Sequence, residues 1–80
     1  MRVNVLLFAS LKDELGPCVA VEVTEPATVA SVRRALEAAH PAVARFGPRA
    51  KAAVNEAWAR DGDLVRPGDT VALLPPVAGG

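Results

Sequence analysis

The first and last strand-forming segments are each apolar on both faces, and this property limits the possible folds more than any other. In the first segment the alternating positions are Val3, Val5 and Leu7 on one face and Asn4, Leu6 and Phe8 on the other. The last segment, Thr70–Leu74, is also apolar on both faces. Strands of this kind lie inside a sheet rather than at its edge. The sequence therefore predicts a sheet with both end strands at its centre.

Three further strands are predicted between the two central ones. Val19, Val21 and Val23 alternate with other residues, which is typical of a half-buried strand. The segments "AAV" and "AWA" predict two short strands joined by a turn at Asn55 and Glu56. Dipeptides of the Asp-Gly and Pro-Gly type then predict two more turns before the last strand.

The stretch between Thr28 and His40 carries the one clear helix. Thr28 suits the N-cap because its hydroxyl can accept from a first-turn amide, and Pro41 stops the hydrogen-bond ladder near His40. The apolar stripe consists of Val29, Val32, Leu36, Ala39 and Val43. "SLKDELGP" predicts a short helical turn, and another turn to Phe46 is expected after the main helix. This element order predicts an α+β fold, a mixed sheet of four or five strands packed on one main helix.

Strand alternation also predicts an apolar patch on the open face of the sheet. If Val5 and Leu7 face the helix, Phe8 faces away from it. By the same rule Leu74 lies on the open face, beside Phe8 if the first and last strands pair. An exposed apolar patch usually marks a binding surface.

Length and charge exclude several classes of protein. Eighty residues form one domain, and nine basic residues balance nine acidic ones, which disfavours nucleic-acid binding. A single cysteine permits neither an intrachain disulfide nor a Cys-pair zinc site, and it favours a reducing, cytoplasmic location. The apolar run near the N-terminus is too short for an export signal, and no segment is long enough to span a membrane. We expect neither a nucleic-acid nor a membrane partner.

No set of residues predicts catalysis by this chain alone. His40 lies at a helix end, where an interaction with terminal carbonyls is its expected role. Cys18 is interpreted as a small buried residue. Asp61, Asp63 and Asp69 flank glycine turns and are interpreted as turn residues, not metal ligands. We expect no metal and no bound cofactor, and any active site must belong to a partner.

The C-terminal segment "LLPPVAGG" predicts a functional tail. We expect a folded domain over residues 1–74 and a tail over 75–80. Pro75 and Pro76 restrict the backbone and favour an extended exit, while Gly79 and Gly80 have no side chain and can enter a narrow tunnel. Extended chain covers about 3.3–3.6 Å per residue, so the tail reaches roughly 20 Å. It is suited to placing a carboxylate in another protein's pocket.

Three segments resemble the ubiquitin-like sulfur carriers, and specifically the small subunit of molybdopterin synthase, the MoaD family. They are "VNVLLFASLKDELG", "AAVNEAW" and "RPGDTVALLPPVAGG", and the resemblance covers essentially the whole chain. It implies a ubiquitin-like β-grasp fold. The double proline before the Gly-Gly pair favours this family over the thiamine-pathway carrier.

The resemblance implies that Gly80 is the reactive residue. An E1-like adenylyltransferase (MoeB-like) would use ATP to adenylate its carboxylate, and a sulfur donor protein would convert it to a thiocarboxylate. The sulfur would then pass to cyclic pyranopterin monophosphate in the large subunit (MoaE-like), in a complex with two copies of each subunit. The tail residues inserted in the partner would be Pro75, Pro76, Val77, Ala78 and Gly79.

The same resemblance implies that Phe8, Trp58 and Leu74 contact the large subunit, although a core position for Trp58 is equally compatible with the sequence. Two alternatives stay open. One is a ubiquitin-like carrier for cysteine or thionucleoside synthesis, or a protein modifier joined to lysines. The other is an interaction module without tail chemistry.

Overall fold

Five strands form one mixed sheet in the computed structural model, which describes residues 1–45 and 49–76. The strands of this sheet are β1 (Arg2–Leu7), β2 (Cys18–Glu22), β4 (Lys51–Val54), β5 (Ala57–Ala59) and β7 (Thr70–Leu74), in the spatial order β2-β1-β7-β4-β5. The two end strands, β1 and β7, pair in parallel, and all other neighbours are antiparallel. Both end strands are therefore internal, as predicted.

One face of the sheet is covered by helix α2 (Val29–Ala39). The N-cap is Thr28, as predicted: its hydroxyl accepts from the Ser31 N–H at 3.2 Å, and the Thr28 N–H donates to the Ser31 hydroxyl at 2.9 Å. This reciprocal capping box satisfies two amides at the helix N-terminus. The helix ends at Ala39, and the C-cap residue His40 donates its N–H to the Leu36 carbonyl. A 3₁₀ helix, Pro41–Arg45, follows it.

The core lies between α2 and the inner face of the sheet. It contains alternate residues of the strands together with the apolar stripe of α2: Val3, Val5, Leu7, Val21, Val29, Val32, Leu36, Ala52, Val71 and Leu73. Helix α1 (Ala9–Leu15) adds Leu11, and the 3₁₀ helix adds Val43. Ala39 is exposed, contrary to the predicted stripe, because the α-helix ends there.

Two features of the fold depart from the sequence prediction. A second, two-stranded sheet pairs β3 (Ala27–Thr28) with β6 (Leu64–Val65), and neither strand was predicted. Phe8 lies directly after β1 rather than in it and is the N-cap of α1. The predicted turn to Phe46 is observed up to Arg45, and Phe46 itself lies outside the described residues.

The arrangement is a ubiquitin-like β-grasp, in which a mixed five-stranded sheet packs on the main helix α2 with the short helix α1 beside it. It confirms the α+β fold and the five-stranded form of the predicted sheet. Over the described parts of the chain, no helix is both long and apolar enough to cross a membrane.

Candidate functional site: an apolar groove at the root of the tail

The outer face of the sheet carries an open groove of about 650 Å³. Its lining consists of Leu6, Phe8, Ala53, Asn55, Glu56, Trp58, Thr70, Ala72 and Leu74. The strand register explains this set, because side chains directly opposite one another on neighbouring strands share a face. Across four strands, the paired residues run in the order Leu6, Ala72, Ala53 and Trp58. The floor of the groove is made of alanines, and the large side chains form its walls.

Two aromatic side chains are exposed at opposite sides of the groove. Phe8 is 43% exposed and Trp58 is 69% exposed. Trp58 therefore belongs to the surface and not to the core, which decides the question that the sequence left open. The Lys51 ammonium lies 5.8 Å from the centroid of the Trp58 ring, in the range of a cation–π interaction. These rings offer apolar area that a partner protein can bury.

The tail leaves the sheet next to this groove. Leu74, the last residue of β7, lines the groove and pairs with Lys51 of β4. Pro75 is buried against the domain, whereas Pro76 is exposed. The predicted tail residues Val77, Ala78, Gly79 and Gly80 lie outside the described part of the chain.

The opposite end of the groove is formed by a tight hairpin turn. Asn55 and Glu56 connect β4 to β5 with φ values of 50° and 69°, the positive pair that a type I′ turn requires. The Asn55 amide donates to Asp69 at 2.9 Å, and its carbonyl oxygen accepts from the Thr70 N–H at 3.0 Å. These two bonds connect the hairpin to the start of β7.

Asp69 holds the neighbouring turn in place. One carboxylate oxygen accepts from the Arg66 N–H at 2.9 Å, and the other accepts from the Asn55 amide. Both bonds lower the pKa of Asp69 below its usual value, because they stabilise the charged carboxylate. The bond from the Arg66 N–H has the larger effect and the bond from the Asn55 amide the next. Asp63 similarly accepts from the Arg60 N–H, and Asp61 pairs with Arg33 at 2.9 Å. All three aspartates thus stabilise turns or pair with a neighbouring element.

The predicted interface residues meet in this groove. Phe8, Trp58 and Leu74 come from three different segments and line one surface. Their contact with a partner stays a prediction. Asn55 and Glu56 were predicted as a turn and not as a rim of the groove. The alanine floor was not predicted, since Ala53 and Ala72 contribute only through their small size. Strand alternation is the signal that would have found them.

The interpretation of Cys18 as a buried residue is wrong. Cys18 is exposed on β2, the outermost strand on its side of the sheet. It pairs with Leu6 and therefore lies on the open face, whereas Val21 on the same strand faces the core. The alternation of the valines in this strand already places Cys18 on the opposite side from them.

Comparison with known proteins gives the same fold and a family. Residues 5–80 match the ThiS family. The structure resembles SAMP1 from Haloferax volcanii, with a TM-score of 0.87, 35% identity and 100% of both chains covered. It also resembles a chain of the BexX/CysO complex from Amycolatopsis orientalis, with a TM-score of 0.71, 28% identity and coverage of 98% of this chain and 99% of that one.

A third similarity concerns the fold alone. It is to a chain in the complex of subunits 1 and 2 of molybdopterin-converting factor from Helicobacter pylori, with a TM-score of 0.71, 22% identity and 100% of both chains covered. The family match covers nearly the whole chain and includes every residue that lines the groove. The chain therefore belongs to the ThiS family and is a ubiquitin-like protein of the sulfur carrier or modifier type.

Proposed function

We propose that this chain is the sulfur-carrying small subunit of molybdopterin synthase. The observation that supports this most is the position of the apolar groove directly at the exit of the tail: Leu74 lines the groove, and exposed chain begins at Pro76. A protein that covers the groove is thereby placed to receive the tail. The segment "PPVAGG" makes the MoaD-type carrier the preferred assignment within the class.

The length of the tail sets the distance between docking and chemistry. Five residues follow Pro75, and at about 3.3–3.6 Å per residue they reach at most about 18 Å from the domain. The buried Pro75 fixes where the tail starts. Gly79 and Gly80 add no side-chain width, so a partner's channel can close around the backbone. The partner's active site is therefore expected within that distance of the groove.

The chemistry begins at the carboxylate of Gly80. A terminal carboxyl group has a pKa of about 3.3–3.7, so at neutral pH it is an anion and a poor electrophile. An E1-like adenylating enzyme joins it to the α-phosphate of ATP and releases pyrophosphate. Persulfide sulfur from a donor protein then attacks the acyl carbon and AMP leaves. Reductive cleavage of the remaining S–S bond by a thiol of the donor system gives the thiocarboxylate.

The thiocarboxylate then delivers its sulfur in the large subunit. There the sulfur attacks a carbon of cyclic pyranopterin monophosphate and displaces an oxygen substituent, and water then cleaves the acyl–sulfur bond and releases Gly80 as the carboxylate. Two such rounds build the dithiolene of molybdopterin. This chain supplies the sulfur and the docking surface, and the partners supply the catalytic side chains and bind ATP. We propose that the adenylating enzyme and the large subunit cover the same groove, so that they bind in turn. The complex with the large subunit contains two copies of each chain.

The decisive experiment compares three forms of the chain in a molybdopterin synthesis assay with the large subunit. The thiocarboxylate form is expected to produce molybdopterin, and the carboxylate form alone to produce none. A form with Gly80 blocked as an amide is expected to stay inactive even with ATP, adenylating enzyme and sulfur donor, while its circular dichroism is unchanged. Normal activity of the amide form would refute the proposal.

A second candidate is a protein modifier, favoured by the 35% identity to SAMP1, a small archaeal modifier protein. An acyl adenylate, or a thioester derived from it, reacts with a lysine amine as well as with sulfur. Intact mass after incubation with ATP, the adenylating enzyme and a sulfur source separates the two functions. Replacement of one oxygen by sulfur indicates a carrier, and bands of higher mass joined through lysine indicate a modifier.

A further inference from the structure

A group of basic side chains borders the apolar groove at the end where the tail leaves. Lys51 is the cross-strand partner of Leu74, and Arg60 follows β5, whose residue Ala59 pairs with Ala52. Arg49 lies just before β4. We call Arg49, Lys51 and Arg60 the basic rim. They share a shallow depression of about 450 Å³ whose lining also includes Trp58, and Trp58 belongs to the apolar groove as well.

Two carboxylates that follow Arg60 in the sequence, Asp61 and Asp63, have other partners, although Asp61 also lines the depression. Asp61 pairs with Arg33, whose guanidinium also donates to the Ala50 carbonyl at 2.7 Å. Asp63 accepts from the main-chain N–H of Arg60 and so stabilises its own turn. Among the ion pairs of the described residues, none involves a member of the basic rim. Lys51 instead lies over the Trp58 ring.

The positive charge is therefore local to this end of the groove. The whole chain is neutral at pH 7, with nine basic and nine acidic residues. All three members of the basic rim are exposed. An apolar centre bordered by charged, solvent-accessible groups is the usual composition of a protein interface. Charges at such a border mainly raise the association rate and fix the orientation of the partner.

We propose that the basic rim binds aspartate or glutamate side chains that flank the tail channel of the protein receiving the tail. This inference rests on the proposed function, because it needs a partner that covers the groove. The row Phe8, Leu74, Lys51 and Arg60 is half apolar and half basic, so the partner must present an apolar patch beside an acidic one. A partner that meets both patches faces the end of the groove from which Pro76 leaves the domain.

An acidic protein surface fits the basic rim better than a small anion does. All three cations are exposed. A site for a bound anion normally has buried, convergent donors, and here Arg33, the least exposed cation of the depression, is engaged by Asp61 and Ala50. The continuous contact of the depression with the groove through Trp58 also favours an extended surface.

The test uses the adenylating enzyme and the ATP–pyrophosphate exchange that it catalyses with this chain as substrate. The variant Lys51→Glu/Arg60→Glu is expected to raise the KM for the chain about tenfold, with kcat within about twofold, because rim charges act on association. The KM of the wild-type chain should rise with sodium chloride, and that of the variant should depend on salt less steeply.

A matched control changes the net charge by the same amount at two other positions on the surface. Arg2→Glu/Arg34→Glu reverses two exposed arginines, one at the far end of β1 and one on α2, and neither lines the groove or the depression. Its KM should equal that of the wild type. The neutral variant Lys51→Gln/Arg60→Gln should give an intermediate KM, and circular dichroism should show that every variant is folded.

The outcomes separate the two proposals. If the wild-type chain supports no exchange with its adenylating enzyme, the proposed function fails. If the wild-type chain supports exchange but both double glutamate variants have the same KM and the same salt dependence, the proposed function stands and the inference about the basic rim is wrong.

Discussion

The two faces of the central sheet are built from the same strands but differ in how far their apolar side chains are buried. On β1, Val5 is fully buried and Leu7 is 2% exposed, whereas Leu6 between them is 37% exposed. On β7, Val71 and Leu73 are buried, while Ala72 and Leu74 line the groove. The inner face is filled by α2, and the outer face keeps its apolar side chains in contact with solvent.

Along each of these strands, the residues that face inward stabilise the fold, and the residues between them form the proposed binding surface. Burying a Val or Leu side chain stabilises the folded state by about 1.5–3 kcal/mol, and the inner face has many such residues. An exposed Leu or Phe contributes little of this until a partner covers it. Substitutions one residue apart on one strand should therefore have different consequences.

The largest effect is expected for Leu73→Ala on the inner face. Leu73 is 1% exposed, and truncation of a leucine in a packed core lowers the free energy of unfolding by about 3 kcal/mol. For a domain of this size, that corresponds to a fall in Tm of roughly 12–24 °C. Thermal unfolding followed by circular dichroism measures it.

The matched control for this prediction is the neighbouring substitution Leu74→Ala on the outer face. It is expected to lower the free energy of unfolding by about 1 kcal/mol or less while weakening partner binding. Equal losses of stability for Leu73→Ala and Leu74→Ala would contradict the division between the faces.

The next effect is on binding and concerns Trp58→Ala. An exposed Trp at the centre of an interface typically contributes about 2 kcal/mol or more, so affinity for the large subunit should fall about 30-fold. The free energy of unfolding should change by less than about 1 kcal/mol, because Trp58 is mostly exposed in the free chain. Calorimetric titration measures the affinity.

Leu64→Ala provides the control for Trp58→Ala. Leu64 is another exposed apolar residue, on β6, and it does not line the groove. Its removal should leave the affinity unchanged. If Leu64→Ala weakens binding as much as Trp58→Ala, the partner covers a different surface.

Much of this contrast between faces could be predicted from the sequence. Alternation of valine and leucine with other residues identified the inward positions of β1 and β7. Because both strands carry apolar residues on both faces, they were predicted to lie at the centre of the sheet. The same parity predicted that Phe8 and Leu74 face outward. Alternation is a strong signal because a one-residue shift of register would expose the whole core face.

Features that depend on pairing over long distances could not be predicted in this way. The strands β3 and β6 are two residues each, too short to show a period, and α2, β4 and β5 all lie between them in the chain. The basic rim was not predicted because the total charge is zero and because Arg60 joins Arg49 and Lys51 only through the pairing of β4 with β5. Cys18 was misjudged from its residue type although the parity of its strand was informative.

A smaller effect is expected at the groove rim, where Glu56→Gly should stabilise the chain. Glu56 has a φ of 69°, which costs a residue with a side chain more than it costs glycine, and Asn-Gly is the preferred pair for this hairpin turn. Relief of this strain, less the larger entropy of glycine in the unfolded chain, should raise the free energy of unfolding by about 0.5–1 kcal/mol. Urea unfolding measures it.

Asn55→Gly tests whether backbone strain is the cause. Asn55 has a similar φ of 50°, but its side chain bonds to Asp69 and to the Thr70 N–H. The loss of these hydrogen bonds should make Asn55→Gly destabilising by about 1 kcal/mol. A stabilising Asn55→Gly would mean that these bonds contribute nothing.

The smallest effect is a pH dependence of stability at Asp69. The Arg66 N–H and the Asn55 amide both lower the pKa of Asp69 in the folded state. The stabilisation that this group contributes is therefore complete above the ordinary aspartate pKa of about 3.9, and it disappears as the pH falls through the lower folded value. Asp69→Asn should be less stable than the wild type at neutral pH, and the difference in Tm should narrow below about pH 4. A difference that stays constant with pH would show that the hydrogen-bond geometry, and not the charge, connects the hairpin to β7.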